Sequence, residues 1–198
     1  MRLAPFVVLS LAGIAQAQQA KFDVLVKGKK AGVATYAVSP YKGSGRLTRL
    51  RIVLADGSIS ESVSKTDATG AAVGSENSVR RGATGSKEVV TYDGRGDATI
   101  VRDKGKGVVV PFDRRGSRKD PSETWFRSVK PKPGTWAVFR ALDPRKRVWE
   151  EVKVSYVGKR GAGNVVRQQR GGLMTVFTLD DAGIPLVIES GDLRMVRR

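Results

Sequence analysis

The chain has 198 residues, with 36 Lys plus Arg against 19 Asp plus Glu, and it contains neither His nor Cys. Lacking both, it has no Ser-His-Asp or Cys-His catalytic set, no zinc site built on His or Cys, and no disulfide. A chain of this size fits one domain, able to bury a sufficient core without metals or cross-links.

The first element is residues 1–17. Met1-Arg2 is a short positive start, and Leu3 to Ala15 is almost wholly apolar. Ala15-Gln16-Ala17 then places small residues at the two positions a signal peptidase reads. This is the pattern of a secretory signal peptide cut before Gln18. The apolar run is too short to span a bilayer, which needs about 20 residues. No Cys follows it, so no lipid-modified N-terminus is expected. The expected mature chain has 198 − 17 = 181 residues and a net charge of 35 − 19 = +16. The expected location is periplasmic or secreted.

From Phe22 onward the pattern is β. Phe22, Val24 and Val26 alternate with Asp23 and Lys27. After a Gly-Lys-Lys turn, Val33, Thr35 and Ala37 alternate with Ala34, Tyr36 and Val38. Leu50, Ile52 and Leu54 alternate with Arg49, Arg51 and Val53. Further on, Val148, Glu150, Val152, Val154 and Tyr156 share one face against Trp149, Glu151, Lys153 and Ser155. A period of two with β-branched and aromatic residues marks half-buried strands. Twenty-three glycines punctuate the chain with turn signals. The fold class expected is all-β: a single antiparallel meander of about 12 strands, forming a curved half-barrel or flattened barrel over residues 18–198, with at most one short helix.

Asp67-Ala68-Thr69-Gly70 aligns on Asp180-Asp181-Ala182-Gly183, each followed by an apolar residue and then Glu at the same spacing (Glu76 and Glu189). An Asp-x-x-Gly tetrad is good turn chemistry, because Asp accepts backbone N–H bonds and Gly supplies a positive φ. Gly105-Lys106-Gly107 and Gly161-Ala162-Gly163 are fragments of phosphate loops only in composition. Neither opens a helix, so both read as hairpin turns.

Residues 114–133 break the alternation and read as a long loop or lid over the sheet. One helical turn is expected over Asp120 to Phe126, with Pro121 at its first position. Trp125 and Phe126 stand here just before Lys130-Pro131-Lys132-Pro133. Aromatics beside cations suit a lid over an apolar or stacked ligand. The candidate ligand-binding residues are therefore Trp125, Phe126 and Trp136, with Arg114, Arg115, Lys130 and Lys132 as a basic rim. Trp136, Phe139 and Trp149 also read as ordinary core.

No catalytic residue, metal ligand or cofactor motif is found. Glu150 and Glu151 sit on opposite faces of one strand and cannot act together, so a non-enzymatic role is expected. The chain has neither an aromatic RNA-binding strand nor a recognition helix, so no dedicated nucleic-acid partner is expected.

Phe22-Asp23-Val24-Leu25-Val26-Lys27-Gly28-Lys29-Lys30-Ala31-Gly32-Val33-Ala34-Thr35-Tyr36 resembles the first hairpin of secreted bacterial β proteins related to the LolA-like group. Phe177 to Glu189 is similar to their closing strand-turn-strand pair. The resemblance covers some thirty residues at the two ends and transfers no functional residue. It implies a curved antiparallel sheet whose concave face carries lipid under a lid. Combined with the charge, it leads to the expectation of a carrier or sensor for an amphipathic anionic ligand, a lipid or lipid-linked glycan, with peripheral membrane contact. The alternative is a structural or adhesion module that holds envelope polyanions by charge.

Overall fold

The structure, a computed structural model, describes residues 18–126 and 129–198. The signal-peptide segment lies outside the described residues. The strands are β1 (Gln18–Val26), β2 (Lys29–Tyr41), β3 (Gly45–Leu54), β4 (Ile59–Thr66), β5 (Ala72–Arg81), β6 (Thr84–Tyr92), β7 (Ala98–Arg102), β8 (Val108–Val110), β9 (Trp136–Asp143), β10 (Val148–Arg160), β11 (Gly163–Arg170), β12 (Leu173–Leu179), β13 (Pro185–Ser190) and β14 (Leu193–Arg197). They form one antiparallel sheet in the order β8-β7-β6-β5-β4-β3-β2-β1-β14-β13-β12-β11-β10-β9. The chain is a meander throughout, and its two ends meet in the middle, where β1 pairs with β14. Fourteen strands replace the expected twelve. The helical element is a four-residue 3-10 turn, Pro121–Thr124, capped by Asp120, whose carboxylate accepts the Ser122 N–H.

Alternation decides which face is buried. Residues directly opposite across a ladder share a face. Val24 lies opposite Met195, Met195 opposite Ile188, Ile188 opposite Phe177, Phe177 opposite Val166 and Val166 opposite Tyr156. All belong to the main core, together with Phe22, Tyr36, Leu50, Ile52, Val152, Val154 and Leu179. On the other flank the same face passes from Val38 to Thr48, Ser64, Ser75, Val90 and Ile100.

The sheet rolls up so that its two ends overlap. Val90, Ala98, Ile100 and Val110 carry the inner face of β6 to β8, and they pack on Leu142 and Trp149. Leu142 and Trp149 are cross-strand partners, an odd number of residues from Val152, so they lie on the opposite face of β9 and β10 from the main core. The inner face of one end therefore sits on the outer face of the other. No backbone ladder joins β8 to β9. The seam is made by side chains and one loop. Trp149 donates its indole N–H to Pro111 O at 3.0 Å, and its ring meets Phe112 edge-on at 5.1 Å. Arg102 donates to Pro144 O at 2.7 Å and Arg145 O at 2.9 Å. The expected 114–133 loop supplies the rest. Ser117 N–H donates to Arg140 O on β9, and Ala72 N–H at β5 donates to Arg118 O. Gly116 is needed at this crossing, because a Cβ there would lie 2.8 Å from the Trp149 ring.

The two Asp-x-x-Gly tetrads form the same turn. Asp67 accepts the N–H groups of Thr69 and Ala71, and Asp180 those of Ala182 and Ile184. Gly70 and Gly183 take positive φ. Asp93 builds a third copy, with Arg95, Asp97 and Gly96 in the matching places. This turn is a local solution, which is why it recurs wherever a hairpin needs it.

The chain ends are tied by charge. The Asp23 carboxylate receives Lys30 at 2.9 Å and Arg198 at 2.6 Å. Those two hydrogen bonds hold its pKa below the ordinary 3.8. A depressed carboxylate pKa stabilises the fold above the ordinary value, and that contribution is lost as pH falls through the lowered one. Asp23→Asn should therefore lower the melting temperature near neutral pH, and the gap to the parent should shrink as pH falls through the lowered pKa. A gap that stays constant across an acid series of thermal melts would show that the clamp contributes no charge-dependent stability.

Candidate functional site

The expected site residues do not converge. Trp125 is buried in the main core at 5 % exposure. Phe126 packs beside it, with its ring edge-on to Tyr156 at 5.2 Å. Its φ of +66° is rare for an aromatic residue, and the N–H it donates to Val129 O holds it there. Trp136 is 62 % exposed and lies on the outer face of β9, with Lys153 Nζ 5.6 Å from its ring centre. The core reading thus holds for Trp149 and, half-buried, for Phe139, but not for Trp136. Arg114, Arg115, Lys130 and Lys132 are all exposed. Arg115 sits 3.7 Å from Asp113. Among the described residues, Arg114, Lys130, Lys132 and Lys153 have no carboxylate at ion-pair distance.

A candidate ligand space lies elsewhere. A cavity of about 340 Å³ opens inside the roll, between β4 to β6 on one side and β9 to β12 on the other. Its lining falls into two halves. Ser62, Ser64, Thr66, Ser75 and Asn77 make a hydroxyl-rich wall, and Phe139, Ala141, Leu142, Val152 and Leu173 make an apolar one. Neither Trp125 nor Phe126 touches it.

Charged groups gather where the walls meet. Glu150 on β10 points inward, on the face of Val152, and receives Lys146 Nζ and, at 3.4 Å, Arg170 Nε. Contact with Glu150 raises the Lys146 pKa. Arg118, from the loop, stacks over the Tyr92 ring with its guanidinium carbon 5.8 Å from the ring centre. Burial pushes the Tyr92 hydroxyl up to about 12, against an opposite pull from Arg170 and Arg118. Both guanidinium groups are therefore close enough to act on one phenol. Burial also raises the pKa of Asp120, outweighing the hydrogen bonds from the Ser122 side chain and N–H.

Three polar groups of this wall lack a partner. Gln168 and Thr66 are each only 4 % exposed, yet Gln168 Nε2 and Thr66 Oγ1 make no hydrogen bond, and neither does Arg170 Nη2. A buried donor left unmade is worth about 1–3 kcal/mol to whatever completes it. In a polar cavity, a ligand or ordered water supplies the partner.

Gln168, Thr66, Arg118, Tyr92 and Arg170 were not singled out from the sequence. A signal existed for two of them. Val166, Gln168 and Arg170 alternate on β11, so the buried Val166 aims both polar residues inward.

No protein-family model and no curated protein matches the chain. Among solved structures it is similar to a DUF1089 family protein from Pseudomonas aeruginosa, at 13 % identity, covering 94 % of this chain and 95 % of that one with a TM-score of 0.36.

Proposed function

We propose that this chain is an extracytoplasmic binding protein, a carrier or sensor for an amphipathic anionic ligand held in the cavity of the rolled sheet. The observation that carries the reading is the set of buried, unpartnered polar groups on Gln168, Thr66 and Arg170 around one cavity. The apolar half-wall beside them suits the other end of the same ligand.

The orientation differs from the one first expected. Around β1, β2 and β12 the inner face is filled by Phe22, Tyr36, Phe177 and Trp125 and leaves no bed for an acyl chain, and the open part of that face is the cavity between β4 to β6 and β9 to β12. The cavity volume is at the lower end for a small-molecule site, about 300–1,000 Å³. It would take a headgroup and a few methylenes. The polar head is thus the part held inside.

A second reading rests on a different surface. Trp136, Val138 and Lys153 lie together on the outer face of β9 and β10, and Val157 is exposed further along β10. With the excess positive charge, this face suits an envelope polyanion held by charge.

Native mass spectrometry of the protein purified from its own envelope fraction separates the two. The cavity reading expects a co-purifying mass that is lost in an Arg170→Gln variant with an unchanged melting profile. Bare protein that binds anionic vesicles only at low salt would support the surface reading instead.

A further inference from the structure

We infer that the ligand of this cavity is a hydroxylated monoanion, with its acid group received by Arg170 and Arg118 and its hydroxyls by the serine and threonine wall. The inference rests on the cavity reading above and names the chemistry of its occupant.

Charge sets the valence. Three cations of the lining face the cavity, Arg118, Lys146 and Arg170, whereas Lys65 stands on the other face of β4 from Ser64 and Thr66, with its Nζ 5.9 Å from the Tyr41 ring centre. The three lining carboxylates are already engaged, Asp120 by the N–H and hydroxyl of Ser122. Glu150 holds Lys146 and Arg170, and Asp143 accepts the N–H groups of Arg145 and Lys146 in its own turn. Arg118, which lies over Tyr92 and donates to Ala72 O at 3.4 Å, has no carboxylate at ion-pair distance among the described residues, and a single negative charge balances it. A second negative charge would face the Glu150 carboxylate with no cation left for it.

Geometry sets the direction. Arg170 uses Nε on Glu150 and keeps Nη2 unbonded. Arg118 is turned toward the same space, since it lies over Tyr92, and both guanidinium groups act on the Tyr92 hydroxyl. An acid placed between them gains charge-assisted bonds, the strong class of hydrogen bond. Gln168 Nε2 is a donor and Thr66 Oγ1 a donor or acceptor, so they want hydroxyl or carbonyl oxygen rather than methylene. A bare fatty acid would satisfy the arginines and leave these two orphaned.

Two sources offer this chemistry: the glycerol phosphodiester head of an anionic phospholipid, and a free sugar acid. Titration calorimetry with four probes distinguishes them. The probes are lysophosphatidylglycerol, glucuronate, lysophosphatidylcholine and decanoate, each below its micelle concentration. Either hydroxylated monoanion should bind at least about tenfold tighter than the zwitterion and the fatty acid. A large advantage for lysophosphatidylglycerol over glucuronate assigns the lipid source, and equal affinities assign the free acid. Arg170→Gln should weaken the preferred probe by about tenfold or more. Thr66→Val keeps the side-chain shape and should weaken it less, with both variants melting as folded proteins.

Decanoate or lysophosphatidylcholine binding as tightly as the hydroxylated anions would overturn this inference and leave the cavity reading standing. Equal affinity in parent and Arg170→Gln for every probe would overturn both this inference and the cavity reading. If none of the four binds, the hydroxylated monoanion is wrong. A co-purifying ligand of another class would then still uphold the binding protein.

Discussion

Trp125→Ala should lower the melting temperature by about 10 °C while leaving any ligand affinity of the surviving folded protein nearly unchanged. Replacing a buried aromatic with Ala costs about 3–5 kcal/mol, from lost transfer energy and the cavity left behind. For a domain of this size 1 kcal/mol moves the midpoint by roughly 2–4 °C. Trp125 is 5 % exposed and belongs to the same cluster as Phe22, Tyr36, Val154 and Phe177. The cavity lining does not include it. A lid residue would show the reverse: weaker binding with little loss of stability. Thermal melts paired with calorimetry on the same preparation decide between these outcomes.

That contrast shows what a period-two reading can and cannot see. The strands at Phe22 to Val38 and at Leu50 to Leu54 were legible because alternation is a local property, fixed by the direction of successive side chains. The Asp-x-x-Gly turns were legible for the same reason. Trp125 reads as a lid because it stands in a segment without alternation. A loop side chain reaches the core when the loop crosses the end of a rolled sheet, and no short-range pattern reports that crossing. Trp136 failed in the opposite direction, since its strand is regular but the face it occupies is left bare. Ser62, Ser64, Ser75 and Asn77 gave no apolar signal at all. They line space instead of filling it, so the cavity wall was hidden by the same rule that revealed the core. The charge, too, told only part of the story. Many surface cations are spent on local pairs such as Arg49 with Glu61, Lys87 with Glu76 and Arg194 with Glu189. Arg170, by contrast, lies on the inner face of β11 and lines the cavity.

The overlap of the two sheet ends carries the second large effect. Trp149→Ala should unlatch β6 to β8 from β9 and β10 without unfolding the strands around β1 and β14. The expected global cost is again about 3–5 kcal/mol for a buried Trp, but its distribution is the informative part. Trp149 belongs to a separate small core with Val90, Ala98, Ile100, Val110 and Leu142, and it donates its indole N–H to Pro111 O. Arg102, whose links to Pro144 and Arg145 cross the same seam, is too exposed to hold it unaided. Regions with few buried contacts open below the global unfolding energy. Amide exchange in Trp149→Ala should therefore speed up selectively in residues 84–110, while β1, β2, β13 and β14 keep their protection. Because Tyr92 and Arg118 form one side of the cavity and Arg170 the other, the same variant should also lose cavity binding. Uniform loss of protection across all strands would show that the sheet unfolds as one unit and that the seam is no separate latch. Intact binding with a loosened seam would show that the ligand is held by β10 to β12 alone, and would remove Arg118 and Tyr92 from the site.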